Sequence, residues 1–143
     1  MREILFRGKT YPKKDGSAFD DTWVFGNLIQ NGDKFYIHPK ANSFYLNGEL
    51  SGFLVLHKVI PETVGQFTGL TDKKGKKIFE GDIVKTDKFS EPNKQYIIKY
   101  DLLFGAFIGH DRYNSYFVTF DGDSDEFEVI GNIHDNPELM KGD

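Results

Sequence analysis

Short runs in which apolar and polar residues alternate recur along this chain at intervals of about ten residues, each closed by Gly, Asn, Asp or Pro. A period of two puts every second side chain on the same face of a pleated strand. A helix needs a period near 3.6, and that period is nearly absent. The first run is Glu3-Ile4-Leu5-Phe6-Arg7, with Ile4 and Phe6 on one face. Thr22 to Ile29 and Lys34 to Ile37 follow, joined by Gln30-Asn31-Gly32-Asp33. Asn-Gly between two such runs signals a hairpin, because both residues tolerate positive φ. Residues 39–52 read as a loop or irregular strand, and Phe53 to Val59 as an apolar strand that ends before Pro61.

A second hairpin is expected from Val64–Leu70, a turn over Thr71–Lys77, and a return through Ile78-Phe79 into Glu80-Gly81-Asp82-Ile83-Val84-Lys85. Gly75 is the natural positive-φ residue of that turn. In Glu80-Gly81-Asp82 the glycine suits a tight turn and the aspartate can accept neighbouring backbone N–H groups before β-branched residues enter a strand. Small SH3-like barrels open a strand this way. The polar stretch 86–94 reads as exposed loop, and Tyr96–Tyr100, Ala106–Gly109, Tyr116–Phe120 and Glu126–Ile130 as further strands. Asn136-Pro137-Glu138-Leu139-Met140 carries an N-cap residue followed by Pro, enough for a short C-terminal helical turn. The expected fold is therefore mainly β: short antiparallel strands in a bent sheet or small-barrel arrangement, with an SH3-like element around residues 60–133. One domain over 1–143 is expected, with a sub-division into an N-terminal hairpin region, 1–57, and a small barrel, 58–143.

Composition narrows the function classes. Fourteen Phe, seven Tyr and one Trp make 15% of the 143 residues aromatic, a content suited to half-buried strands. Zero Cys removes disulfide scaffolds, thiolate-ligated zinc, iron–sulfur clusters and thiol nucleophiles together. The net charge of −4 argues against a generic nucleic-acid coat or a membrane-surface protein, which need cationic excess. No apolar run approaches the ~20 residues of a membrane-spanning helix, and the charged start Met1-Arg2-Glu3 is not that of a signal peptide. The expectation is a soluble protein of the cytoplasm.

The block Pro61-Glu62-Thr63-Val64-Gly65-Gln66-Phe67-Thr68-Gly69-Leu70, followed by Asp72, Gly75 and Ile78-Phe79-Glu80-Gly81-Asp82-Ile83-Val84, resembles the core of the YopX family. Met1 to Arg7, Trp23-Val24-Phe25-Gly26 and the closing Val129–Leu139 segment resemble it too, so the likeness spans nearly the whole chain. YopX proteins are small and are carried by bacteriophages and prophages. The resemblance implies a phage or prophage origin, life in the bacterial cytoplasm, and a homo-oligomer. It implies no catalytic residue and no cofactor.

The residues themselves offer several candidates. His110-Asp111 and His134-Asp135 have the chemistry of metal ligands or acid–base pairs, but no H-x-E or H-E-x-x-H spacing accompanies them or His38 and His57. Asp121-Gly122-Asp123-Ser124-Asp125-Glu126 begins like a calcium loop. Counting from Asp121, Glu126 and Asn132 fall where an EF-hand needs Gly and Glu, so the match fails. No phosphate-binding glycine loop and no nucleophile elbow occurs. No cofactor or metal site is expected.

Lys73, Lys74, Lys76 and Lys77 gather at one turn, and with Arg2, Arg7, Lys9, Lys13 and Lys14 would form a phosphate-binding face if both clusters share a side. Residues 121–143 are acidic by contrast, with Lys141 the only cation. Phe35, Tyr36, Phe44, Tyr45, Tyr113, Tyr116 and Phe117 are aromatics able to stack on bases, to fill a core, or to anchor an interface. Thr63, Gln66, Thr68, Glu80 and Asp82 are the polar members of the central block and its candidate binding residues. The competing reading makes Gly65, Gly69, Gly81 and Asp82 turn and bulge chemistry in service of the fold. The function these features favour is a non-enzymatic accessory protein that acts through contact with itself or with a host or phage protein. The alternative is nucleic-acid binding through the Lys73–Lys77 tip.

Overall fold

A computed structural model of the chain describes residues 2–12, 22–39, 44–46, 49–51, 56–86, 94–111, 117–119 and 126–140. Thirteen strands run through them: β1 Phe6–Lys9, β2 Trp23–Asn31, β3 Lys34–His38, β4 Phe44–Leu46, β5 Glu49–Ser51, β6 His57–Val59, β7 Gly65–Thr71, β8 Lys77–Phe79, β9 Asp82–Thr86, β10 Lys94–Asp101, β11 Ala106–His110, β12 Phe117–Thr119 and β13 Phe127–Asn132. Two 3-10 turns, Pro61–Thr63 and Pro137–Met140, supply the helical content. The mainly-β reading holds, and so does the short C-terminal turn. By contacts the chain divides into two compact units, Met1–Gln66 and Phe67–Asp143.

In the first unit an antiparallel sheet runs β6-β3-β2-β1, and the start of β7 pairs with β1 through Phe6↔Gln66 and Arg7↔Gly65. The β2–β3 hairpin is the one its Asn-Gly pair suggests, shifted by one residue. Asn31 stays in the ladder opposite Lys34, which leaves Gly32-Asp33 as the turn, with Gly32 at φ +62°. One sheet face turns inward and carries Ile37 and Val59, both fully buried, together with Gly8 and Gly26. An isolated bridge, Thr10↔Val59, and the bond from the Ile60 N–H to the Lys9 carbonyl tie the far strand back toward β1. The sheet is thus strongly bent. Gly8 is required at this closure: a Cβ there would lie 2.8 Å from the Val59 Cβ, inside contact distance. Residues 39–52, read as a loop or irregular strand, include a small hairpin with Tyr45 opposite Leu50.

In the second unit β7 pairs with β8, and a five-stranded antiparallel sheet runs β12-β11-β10-β9-β13. Its core gathers Ile78, Val84, Tyr96, Ile98 and Phe127, with Leu70, Phe107 and Val129 packed against it. Fully burying side chains of this size contributes about 1.5–3 kcal/mol each. The expected SH3-like element is an open sheet among the described residues rather than a closed barrel. The reason lies in β13: its Val129 N–H and Phe127 C=O bond to Asp72 and Lys73 of the β7–β8 turn, so a further strand has no free backbone there.

Candidate functional site

Between β7 and β8 the ladder slips: Phe67 faces Phe79 and Thr71 faces Lys77, with three residues between the pairs on β7 against one on β8. Gly69, at φ +90°, sits in this bulge. The Thr68 hydroxyl donates to the Ile78 carbonyl at 2.8 Å and accepts the Leu70 N–H at 3.2 Å, replacing the ladder bonds that the bulge removes. Thr68 therefore serves the backbone.

Two other polar members of the central block, Thr63 and Asp82, follow the same pattern. The Thr63 hydroxyl, 7% exposed, accepts the Lys9 N–H at 2.8 Å and donates to the Ile60 carbonyl at 2.6 Å. Asp82, 2% exposed, accepts the Phe79 N–H at 2.7 Å, beside Gly81 at φ +92°. That is the turn chemistry its sequence suggests. Gln66 and Glu80 are both half-buried, in β7 and in the turn before β9. Thr63, in the first unit, and Thr68 and Asp82, in the second, each hold backbone groups of their own unit.

The four tip lysines stand on a turn built by Asp72. Its Oδ1 accepts the N–H groups of Lys74 at 2.9 Å and Lys76 at 2.8 Å, its Oδ2 accepts that of Val129 at 2.9 Å, and Gly75 takes φ +81°. Burial pushes the Asp72 carboxyl upward, but the N–H donors of Val129, Lys76 and Lys74, with the Lys76 charge, outweigh it and hold the group below its ordinary value. The turn's cations are largely engaged within the protein. Glu128 receives Lys74 at 2.7 Å, Lys85 at 3.5 Å and Lys73 at 3.6 Å, and Lys77 lies 5.6 Å over the Phe67 ring. The Lys74 hydrogen bond lowers the Glu128 carboxyl, and Glu128 in turn raises Lys74. An incoming phosphate would compete with a carboxylate already in place.

The histidine candidates separate. His110 Nε2 stands 3.5 Å from Asp101 Oδ2. At the other end Asn132 holds the closing turn: its Oδ1 accepts the N–H groups of His134 and Asp135, and its Nδ2 donates to Asp135 Oδ2. Asn136, read as an N-cap, turns its side chain back to accept the Asn132 N–H, while its main-chain carbonyl accepts from Leu139. No group of three or more His, Asp or Glu poised for a metal occurs among the described residues. No helix among them is long and apolar enough to cross a membrane. Lys13, Lys14, Tyr113, Tyr116, the acidic tip 121–125, Lys141 and Asp143 lie outside the described residues. Of the stretch 86–94, only Thr86 and Lys94 are described.

One feature of the β10–β11 hairpin escaped the reading of the sequence. Its tip, Leu102-Leu103-Phe104, is apolar where a turn is ordinarily polar, and Leu102 and Leu103 are 89% and 87% exposed. Tyr100 and Phe104 are exposed beside them, and Tyr100 packs edge-on against Phe107 at 5.2 Å. The tip has a defined shape. Asp101 Oδ1 accepts the N–H groups of Leu103 at 2.8 Å and Phe104 at 3.1 Å, its carbonyl accepts that of Gly105, and Gly105 takes φ +61°. The signal was available: three apolar residues fall where one strand ends and the next begins.

Antiparallel sheets, glycine-marked turns and polar residues engaged with the backbone among the described residues define a small, mainly-β protein. The family model described as YopX protein matches residues 10–141, and the chain belongs to that family. Among solved structures, protein EF1440 from Enterococcus faecalis is similar with a TM-score of 0.58 and 22% identity, over 99% of this chain and 100% of that one. Protein yopX from Bacillus subtilis is similar with a TM-score of 0.48 and 18% identity, over 100% of this chain and 99% of that one. The first of these likenesses shows a shared fold. The curated proteins contain no significant match.

Proposed function

We propose that this chain is a non-enzymatic accessory protein of a bacteriophage or prophage, acting in the bacterial cytoplasm by contact with a protein partner through the β10–β11 tip. The observation that carries this reading is the exposure of Leu102 and Leu103 on a turn held by Asp101. Isolated surface apolar residues are ordinary, but four large ones within five positions of one preformed turn make an anchor. A turn already in its bound shape loses little conformational freedom on docking, which favours affinity. Membership of the YopX family and its resemblance-based phage association support the setting. The engagement of Thr63, Thr68 and Asp82 with backbone atoms supports a structural role for the central block, and the Glu128 pairings count against the Lys73–Lys77 tip as a phosphate platform.

Light scattering separates a self-contact from a foreign one. Wild type and Leu102→Asp/Leu103→Asp are then compared in pull-downs from host lysate. A self-complex or a captured protein seen with wild type and lost in the variant is the expected result. A monomer whose captured proteins are identical to those of the variant would overturn the reading.

A further inference from the structure

The outward face of the first unit's sheet carries a pattern that the tip does not explain. On β2 the side chains of Trp23, Phe25, Asn27 and Ile29 share that face, opposite to the buried one. Phe25 is 46% exposed and Ile29 38% exposed, while Trp23 is half-buried. The ladder then sets a cation directly across from each aromatic: Lys9 faces Trp23, Arg7 faces Phe25 and Lys58 faces Tyr36. Directly opposite residues on a sheet lie about 4.5–5.5 Å apart at Cβ, so a cation and an aromatic stand side by side at each of these positions. Lys34, exposed on the same face of β3 as Tyr36, and Lys58, whose ammonium lies 5.4 Å over the Tyr11 ring, extend the pattern to the sheet's far side. Arg7 shares this face but is buried, with its guanidinium 4.6 Å over the Trp23 ring, so it holds that ring rather than reaching out to a phosphate.

Among the described residues of β1, β2, β3 and β6, none is acidic. In a chain of net charge −4, a sheet face with cations and aromatics in register and no carboxylate on its strands is complementary to one class of polymer. A polyanion alone would need only the cations. Flat π-faces at strand spacing add a surface for unpaired bases, which stack on aromatics with little sequence preference. A duplex hides those faces. We infer that this sheet face binds single-stranded nucleic acid, with bases on Trp23, Phe25 and Tyr36 and phosphates on Lys9, Lys34 and Lys58.

Trp23 is the only tryptophan, so its fluorescence reports directly on stacking. The probes are oligothymidylate and oligouridylate of about 16 nucleotides, the upper site size for a single small β-fold module. Saturable quenching by either is expected, with a log–log salt slope near −2 for three phosphate contacts at about −0.7 each. Which probe binds more tightly distinguishes DNA from RNA. Phe25→Ala and Tyr36→Ala should each weaken binding at least about fivefold, the lower end of what one stacked base contributes. Lys58→Glu, at an exposed position, should weaken it and flatten the salt slope, whereas Lys73→Glu/Lys74→Glu should leave it unchanged. Absence of quenching at low salt would overturn the inference, as would equal competition by polyglutamate or insensitivity to both Phe25→Ala and Lys58→Glu.

Discussion

The backbone N–H of Val129 donates to Oδ2 of Asp72 across 2.9 Å, joining residues 57 positions apart in the chain. The other oxygen of the same carboxylate shapes the lysine turn. One side chain thereby fixes the local geometry of the β7–β8 connection and docks it on β13. With the Lys73 N–H reaching the Phe127 carbonyl at 2.9 Å, it also occupies the edge at which a barrel would have closed.

Asp72→Ala removes acceptors from three backbone donors at a site only 5% exposed. The expected loss is about 2–4 kcal/mol in denaturant unfolding, because charge-assisted bonds vanish and a buried N–H loses its partner. Asp72→Asn should fall between the two. Its amide oxygen can still hold the turn, but its NH2 group cannot accept from Val129. Equal stability of wild type and Asp72→Ala would remove this carboxylate from the framework.

The same carboxylate sets a pH dependence. Asp72 is held below its ordinary value of 3.8, so its stabilisation is fully present above that value and is lost as the pH falls through the lowered one. The stability gap between wild type and Asp72→Asn should be constant near neutrality, begin to narrow near pH 3.8 and shrink further below it. Urea titrations across that range measure it. A gap that widens on acidification would contradict the assigned direction.

Glu128 gives a contrast. It is half-buried, but Lys73, Lys74 and Lys85 reach it from the solvent side, where ion pairs are weak and screened. Glu128→Gln should lower the melting temperature slightly at low salt and not at all near 1 M, where the screening length is about 3 Å. A difference that persists at high salt would mean the carboxylate acts through packing.

Much of this architecture was legible in the residues, for local reasons. Gly32, Gly75 and Gly81 each fall where positive φ is needed, and Asp82 bonds the backbone beside it as a short polar side chain after glycine should. Alternation located the strands because a strand's two faces differ in burial. What it leaves open is which face turns inward. Phe25 and Ile37 look alike in sequence, yet Ile37 is fully buried and Phe25 is 46% exposed, a choice made by how the sheet bends around Val59. The Asp72–Val129 link was not readable, since it depends on two distant segments meeting. The engagement of the tip lysines by Glu128 was hidden for the same reason.

The bend itself can be tested at Gly8. A methyl group there would press on Val59, which is fully buried and has nowhere to move. Gly8→Ala should cost about 1–3 kcal/mol by overpacking. Gly32→Ala, with nothing near its added Cβ but φ at +62°, should cost about 1–2 kcal/mol from backbone strain alone. Adding Val59→Ala separates the two causes. It should partly rescue Gly8→Ala, with a coupling of about 0.5–3 kcal/mol, and be additive with Gly32→Ala within about 0.5 kcal/mol.

Asp101 divides the role of the tip's shape from that of its apolar surface. Asp101→Ala takes the acceptor from the Leu103 and Phe104 N–H groups while leaving Leu102, Leu103 and Phe104 in place. Both N–H groups are exposed at the tip, so water replaces their lost acceptor at a cost below about 1 kcal/mol, and any larger loss of global stability comes from His110, whose Nε2 stands 3.5 Å from Asp101 Oδ2. Hydrogen exchange at those two amides should quicken, and capture of the protein partner should weaken because the turn must then be ordered on docking. If exchange quickens and capture is unchanged, the partner reads the apolar side chains without needing the turn. If capture falls as far as in Leu102→Asp/Leu103→Asp, the preformed geometry matters as much as the leucines it presents.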